Sequence, residues 1–250
     1  GKPLLGLHGW LDNACSMDPI AAGLPEGYYF VCMDLPGHGL SSHYPKGMSY
    51  RMSDGFTAVE RVRKFLGWEK YGIIAHSLGS GIATWYAAIF PEHVERLVAI
   101  DLITFGPVPV NKHSRLTRKA IKEAVKILDK LDNDADPPEY EWIDAVARAF
   151  MANQLIHGIG SISQKSVETL MQRGLRKLES GKYTWTADLR LRIPSPFNIT
   201  VEQVEHYAAQ VTSPMCIIKA SDSSYYMSDE VAERVLKIYK NYNPHYEFHR

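Results

Sequence analysis

Four short runs of almost unbroken apolar residues, Tyr28–Asp34, Tyr71–His76, Leu97–Leu102 and Met215–Lys219, recur along the chain with helical patterns between them. A strand with no polar alternation has to be covered on both faces, which is the habit of parallel sheets flanked by helices. Pro3–Leu7 and Tyr246–His249 are two further strand candidates. Thr57–Leu66 and Leu78–Phe90 carry helical spacing, and Pro91 stops the second of these. The expected fold class is α/β, a mostly parallel sheet with helices packed on it. A chain of 250 residues is long enough to bury the core of such a domain.

The rhythm changes after Phe105. From about Pro107 to Tyr207 no convincing strand appears, and amphipathic helical patterns occupy Leu116–Leu131, Trp142–Met151 and Val167–Leu178. Asp134–Pro138 and Arg192–Phe197 read as turns. The expected organisation is a first core segment over 1–105, an inserted helical cap over 106–210, and a second core segment over 211–250. Cap aromatics such as Trp142, Phe150 and Trp185 either line an acyl pocket or fill the cap's own core.

Composition narrows the function classes. Lys and Arg number 28 against 28 Asp and Glu, so no general basic footprint points to nucleic acid or an anionic membrane. No apolar run approaches the roughly 18–20 residues of a membrane span. The first residues lack the pattern of a signal peptide. Cys15, Cys32 and Cys216 are an odd number, and two lie inside strand-like runs, so they are expected as reduced thiols of an intracellular protein.

The segment richest in chemistry is Tyr71-Gly72-Ile73-Ile74-Ala75-His76-Ser77-Leu78-Gly79-Ser80-Gly81. A strand runs into a serine and a helix begins at once, the context of a nucleophile elbow. Small residues two before and two after the serine, here Ala75 and Gly79, let neighbouring backbone crowd that turn. The alternative is an ordinary strand–helix turn with Ser77 as N-cap. Upstream, Leu5-Gly6-Leu7-His8-Gly9-Trp10 is a strand that breaks at His8-Gly9, where the Trp10 amide can be aimed over the serine. With the Leu78 amide it would form a two-donor oxyanion hole. His76 belongs to the elbow, as His8 and Gly9 belong to the hole. Asp34-Leu35-Pro36-Gly37-His38-Gly39-Leu40-Ser41 is a tight loop closing a buried strand.

The order His8-Gly9-Trp10-Leu11-Asp12-Asn13-Ala14, then Asp34–Ser42, then the Ser77 elbow resembles the α/β-hydrolase superfamily, and within it the serine hydrolase-like protein branch. The resemblance covers the first 105 residues closely, the cap only in helical character, and 213–250 in strand placement. It implies a serine hydrolase with a helical cap and a poorly defined substrate; the expected activity is esterase-like hydrolysis of a small-molecule ester, small or medium and apolar, with no organic cofactor or metal. A cytoplasmic or peroxisomal site also follows from it. The implied step is attack of Ser77 on a carbonyl, with a histidine taking the proton and a carboxylate orienting that histidine. Asp222, just past Met215–Lys219, is the first choice of acid, and Asp101, at the end of Leu97–Ile100, the second. The family's base lies in a loop after the last strand, and none of the ten histidines matches it; His249, on the last strand, follows both acids in chain order. Two strands of the family pattern precede Pro3–Leu7, so missing edges are expected to invite a homodimer.

Other chemistries fit poorly. Ser77 stands where an aspartate-nucleophile hydrolase needs its carboxylate, and Gly79-Ser80-Gly81 lacks the third glycine of a dinucleotide loop. No Walker A segment, calcium loop or zinc-ligand spacing is present. The strongest rival is a non-catalytic, hydrolase-like binding protein that keeps the pocket and lacks the base.

Overall fold

A computed structural model describes residues 1–133 and 137–250. Six strands form one sheet: β1 (Lys2–Leu7), β2 (Tyr28–Met33), β3 (Tyr71–His76), β4 (Val94–Ile100), then β7 (Met215–Ile218) and β8 (Tyr246–His249). Their order is β2-β1-β3-β4-β7-β8, and every pairing is parallel. The expected α/β class holds, with β4 starting three residues earlier than its apolar run and ending at Ile100. Asp101 then leaves the strand with φ 63°.

Register sorts the side chains into two faces. Leu5, Leu7, Ile73, Ala75, Leu97, Ala99, Met215 and Ile217 point one way into the main core. Over that core lie α2 (Met52–Leu66), α3 (Leu78–Ile89), α7 (Val201–Gln210) and α8 (Asp229–Tyr242), each packed on the next. Local signals start and stop these helices. Thr200 and Gln203 form a capping box on α7, Ser228 caps α8, and Gly67 ends α2 at φ 66°. On the opposite face Ile74, Val98, Ile100, Cys216 and Ile218 are only half-covered or exposed. The short α1 (Asp18–Gly23) follows a 3₁₀ turn at Ala14–Met17 beside β1 and β2.

The inserted segment carries α4 (His113–Asp132), α5 (Trp142–His157) and α6 (Gln164–Gly174). It also contains an antiparallel hairpin of β5 (Leu175–Lys177) and β6 (Tyr183–Trp185), where the sequence reading expected helix to continue to Leu178. Gly181, at φ 84°, supplies the left-handed turn residue. Trp142, Phe150 and Trp185 pack around Val146, Ala149 and Val167, a cluster separate from the main core. They belong to the inserted segment's own core cluster. Helix α7, assigned to the cap by sequence, contributes Val204 and Ala208 to the main core. Of the expected Asp134–Pro138 turn, residues 134–136 lie outside the described residues.

Candidate functional site

Strand β1 has β2 on one side and β3 on the other, so the chain reverses its direction of travel across the sheet between β1 and β3. Ligands of open α/β sheets bind at the carboxyl ends flanking such a switch. Ser77 stands there, between the end of β3 and the first residue of α3. Its backbone, φ 49° and ψ −117°, lies where L side chains are strained, and its side chain makes no capping hydrogen bond to the helix. The plain N-cap alternative therefore fails. The turn is pinned from several sides: the Ser77 amide donates to the Ile100 carbonyl at 2.9 Å and the Gly79 amide to the His8 carbonyl at 3.1 Å. Ser80 Oγ donates to the Ala75 carbonyl at 2.8 Å. A Cβ on Gly79 would meet the Leu7 carbonyl oxygen at 2.5 Å, so only glycine fits there.

The loop after β1 comes close to the same serine. A Cβ on Gly9 would sit 3.4 Å from Ser77 Cβ and 3.1 Å from His76 Nδ1. Leu11 turns at φ 59°, the Asp12 amide donates to the Gly9 carbonyl at 3.2 Å, and Trp10 follows Gly9 directly. The Leu78 amide opens α3 and has no intrahelical acceptor. Leu78 thus follows Ser77 directly, and Gly9, the residue before Trp10, approaches it in space. His8 is a clamp: its Nδ1–H donates to the Gly9 carbonyl at 2.7 Å, and its Nε2 accepts from the Leu35 amide at 2.9 Å. Burial, reinforced by neighbouring His38, pushes its pKa down to about 4, so the ring is neutral and holds two loops together.

The two acid candidates behave differently. Asp101 sits one residue past Ile100, level with Ser77 on the adjacent strand. Its Oδ1 accepts from Lys219 Nζ at 2.8 Å and from the Ala220 amide at 3.1 Å, and its Oδ2 accepts from Ser223 Oγ at 2.8 Å. Burial would raise its carboxyl, yet these donors hold it below the usual carboxylate range. Asp222 is exposed on the turn that Asp101 grips from both sides. His249 lies on β8, three strands from β3, hence roughly 14 Å away at ordinary strand spacing, and it is exposed on the sheet's open face.

Two cavities flank the elbow. One of about 530 Å³ has Trp10, Leu78, Ile82, Phe105 and Leu116 in its wall. The other, about 500 Å³, is lined by His76 and Ile100 together with Asp12, Met17, Lys165 and Leu170. Burial first of all pushes the Asp12 carboxyl up to about 6, and its bonds from the Asn13 amide and Ser16 only partly oppose this.

Sequence reasoning missed the ties between cap and core. Arg173 Nη1 reaches Asp34 Oδ2 at 2.8 Å. Buried Arg190 pairs with Asp188 and donates to the carbonyls of Tyr44, Pro45 and Met48. Lys219, at the end of an apolar run, was the one visible hint, since a lysine buried to 1% needs a carboxylate. The sheet also gathers Cys216, Glu247 and His249 with donor atoms within 4.8 Å of one another, a set invisible as a spacing motif because register creates it.

The family profile described as alpha/beta hydrolase fold matches residues 2–141. A serine hydrolase-like protein of Danio rerio is 32% identical over 95% of this chain and 71% of its own length. The chain belongs to the α/β-hydrolase superfamily, in its serine hydrolase-like branch. Serine hydrolase-like protein 2 of Homo sapiens is 32% identical to this α/β-hydrolase over 72% of the chain, which spans 55% of that relative. Among solved structures, the hypothetical protein PA1622 of Pseudomonas aeruginosa PAO1 superimposes with a TM-score of 0.81 at 32% identity, over 100% of this hydrolase-fold chain and 82% of its own. A thioesterase domain from the curacin biosynthetic pathway, 23% identical with a TM-score of 0.73, shares the fold.

Proposed function

We propose that this chain is the catalytic body of an esterase-type serine hydrolase acting on a small or medium apolar ester. The observation that carries the proposal is Ser77 itself, held at φ 49° at the sheet's switch point with a hydroxyl the helix does not use as a cap. In the proposed reaction Ser77 Oγ attacks the ester carbonyl and its proton passes to a histidine. The carbonyl oxygen becomes an oxyanion taken by the Trp10 and Leu78 amides. Collapse expels the alcohol, which leaves with that proton, and water then releases the acid from the acyl-serine.

Asp222 orients the histidine, and Asp101 braces the turn that presents Asp222. His249, on β8 roughly 14 Å from Ser77, is too far to take that proton directly. The 530 Å³ cavity, walled by Leu78, Ile82, Phe105 and Leu116, suits an acyl group.

Hydrolysis of short-chain p-nitrophenyl esters, with intact mass after a fluorophosphonate probe, tests this on the chain and on Ser77→Ala. A single adduct, lost in Ser77→Ala, is expected, and ester turnover lost with it would show that a base reaches Ser77. The distance of His249 from Ser77 favours one rival, a hydrolase-like binding protein. A folded chain that neither turns over nor labels would select it.

A further inference from the structure

Charge is balanced over the whole chain and segregated on one helix. Between positions 112 and 126 stand Lys112, Arg115, Arg118, Lys119, Lys122 and Lys126, against the single acid Glu123. All six cations are exposed. Helix α4 is twenty residues long and buries only Ala120. Arg118, Ile121, Lys122 and Val125, three and four residues apart, share one ridge on its outer side. Ile121 and Val125 on that ridge are 53% and 52% exposed.

Neighbouring segments add to the same side. Thr117 Oγ1 donates to the Pro196 carbonyl at 2.7 Å, bringing Phe197, 86% exposed, beside the turn that carries Ile121. The Val108 amide donates to the Ile199 carbonyl at 2.8 Å, and Val110, in the turn that leads into α4, is 69% exposed. Phe197 also lines the 530 Å³ cavity, to which α4 lends Leu116 and Lys119.

We propose that this face of the cap docks on the surface of an anionic phospholipid bilayer. Ile121, Val125, Val110 and Phe197 enter the boundary between headgroups and acyl chains, and the α4 cations meet the headgroup charge. A polyanion such as nucleic acid would use the cations and leave three aliphatic side chains in water, so the interleaved apolar residues favour lipid. The use of the surface rests on the ester-hydrolase reading, since a docked cap would receive an apolar ester directly from the lipid phase. The docking does not depend on Ser77.

Co-sedimentation with phosphatidylcholine vesicles, with and without about one-third phosphatidylserine, tests the proposal. The chain and Ser77→Ala should both sediment with the anionic vesicles and not with the neutral ones. The double variant K122Q/K126Q, outside the cavity wall, should weaken that binding about 30-fold, roughly fivefold for each charge. Its hydrolysis of a soluble short-chain ester should equal that of the parent chain. Ile121→Ser with Val125→Ser should also release the chain from vesicles, while binding to heparin stays unchanged. Failure to sediment with anionic vesicles would overturn the proposal, as would vesicle binding indifferent to both double variants. A chain that hydrolyses esters but ignores vesicles would leave the catalytic reading standing alone; one that binds vesicles but hydrolyses nothing would do the reverse.

Discussion

Asp101 and Lys219 lie side by side at the carboxyl ends of adjacent strands, Nζ to Oδ1 2.8 Å, with the lysine side chain 1% and the aspartate side chain 24% exposed. Removing one partner of such a pair leaves an uncompensated buried charge. Asp101→Ala is therefore expected to destabilise the fold by about 3 kcal/mol, near the low end for buried pairs because the carboxylate keeps some contact with water. Asp222→Ala, on an exposed turn, is expected to leave stability within about 0.5 kcal/mol and to lower kcat at least 100-fold. Urea unfolding beside ester kinetics separates brace from acid. A larger loss of stability in Asp222→Ala than in Asp101→Ala would reverse the assignment.

Backbone strain at Ser77 has a measurable sign. Glycine adopts φ 49°, ψ −117° without its cost, so Ser77→Gly should raise stability by about 1 kcal/mol while abolishing fluorophosphonate labelling. A less stable glycine variant would mean that the hydroxyl holds the turn together.

Gly79 and Gly81 look alike in sequence and differ in surroundings. A Cβ on Gly79 strikes the Leu7 and His8 carbonyls, which are backbone, whereas one on Gly81 meets the ring of Phe105. Gly79→Ala should cost more than about 2 kcal/mol, and Gly81→Ala clearly less, because a side chain can yield where a strand cannot. Thermal unfolding of the two variants side by side would show whether the elbow's tightness comes from β1.

The His8 clamp predicts a pH dependence. Its value is about 4 in the folded chain against 6.5 unperturbed, so between these the unfolded chain binds the extra proton. The stability linked to neutral His8 is full above about pH 6.5 and is lost as pH falls toward 4, by up to about 3 kcal/mol. Against a His8→Asn variant, the parent chain should show this extra acid sensitivity in urea melts across that window. Parallel pH profiles for the two would remove His8 from the account.

The sheet was legible because its central strands are nearly continuous apolar runs, although only one face is fully buried. Runs such as Tyr71–Ala75 admit no polar residue, and their ends fall where Ser77 and Asp101 take up positive φ. The β5–β6 hairpin was not legible, since Leu175-Arg176-Lys177 is three residues long and two of them are charged and exposed. The elbow could be read from local order, Ala75 to Gly79, because its chemistry is set by neighbours in sequence. Lys219, Arg173 and Arg190 could not be read in the same way. Each meets a partner brought near only by the finished fold: Asp101, Asp34, and the carbonyls of 44, 45 and 48. The zero net charge concealed α4 for the opposite reason, because a sum over the chain erases where its charges sit.

The bonds around Arg190 divide the inserted segment into a fixed part and a loose one. Its guanidinium, the Tyr50–Asp188 hydrogen bond at 2.9 Å and the bond from Trp10 Nε1 to the Leu191 carbonyl at 3.0 Å fasten residues 188–191 to the loops beside Ser77. A segment riveted there cannot swing away as one piece. Helix α4, which lends Leu116, Lys119 and Ala120 to the wall of the 530 Å³ cavity and buries a single residue, costs less to displace. The charged face and that wall are the same helix, so whatever holds the face also bears on the width of the cavity.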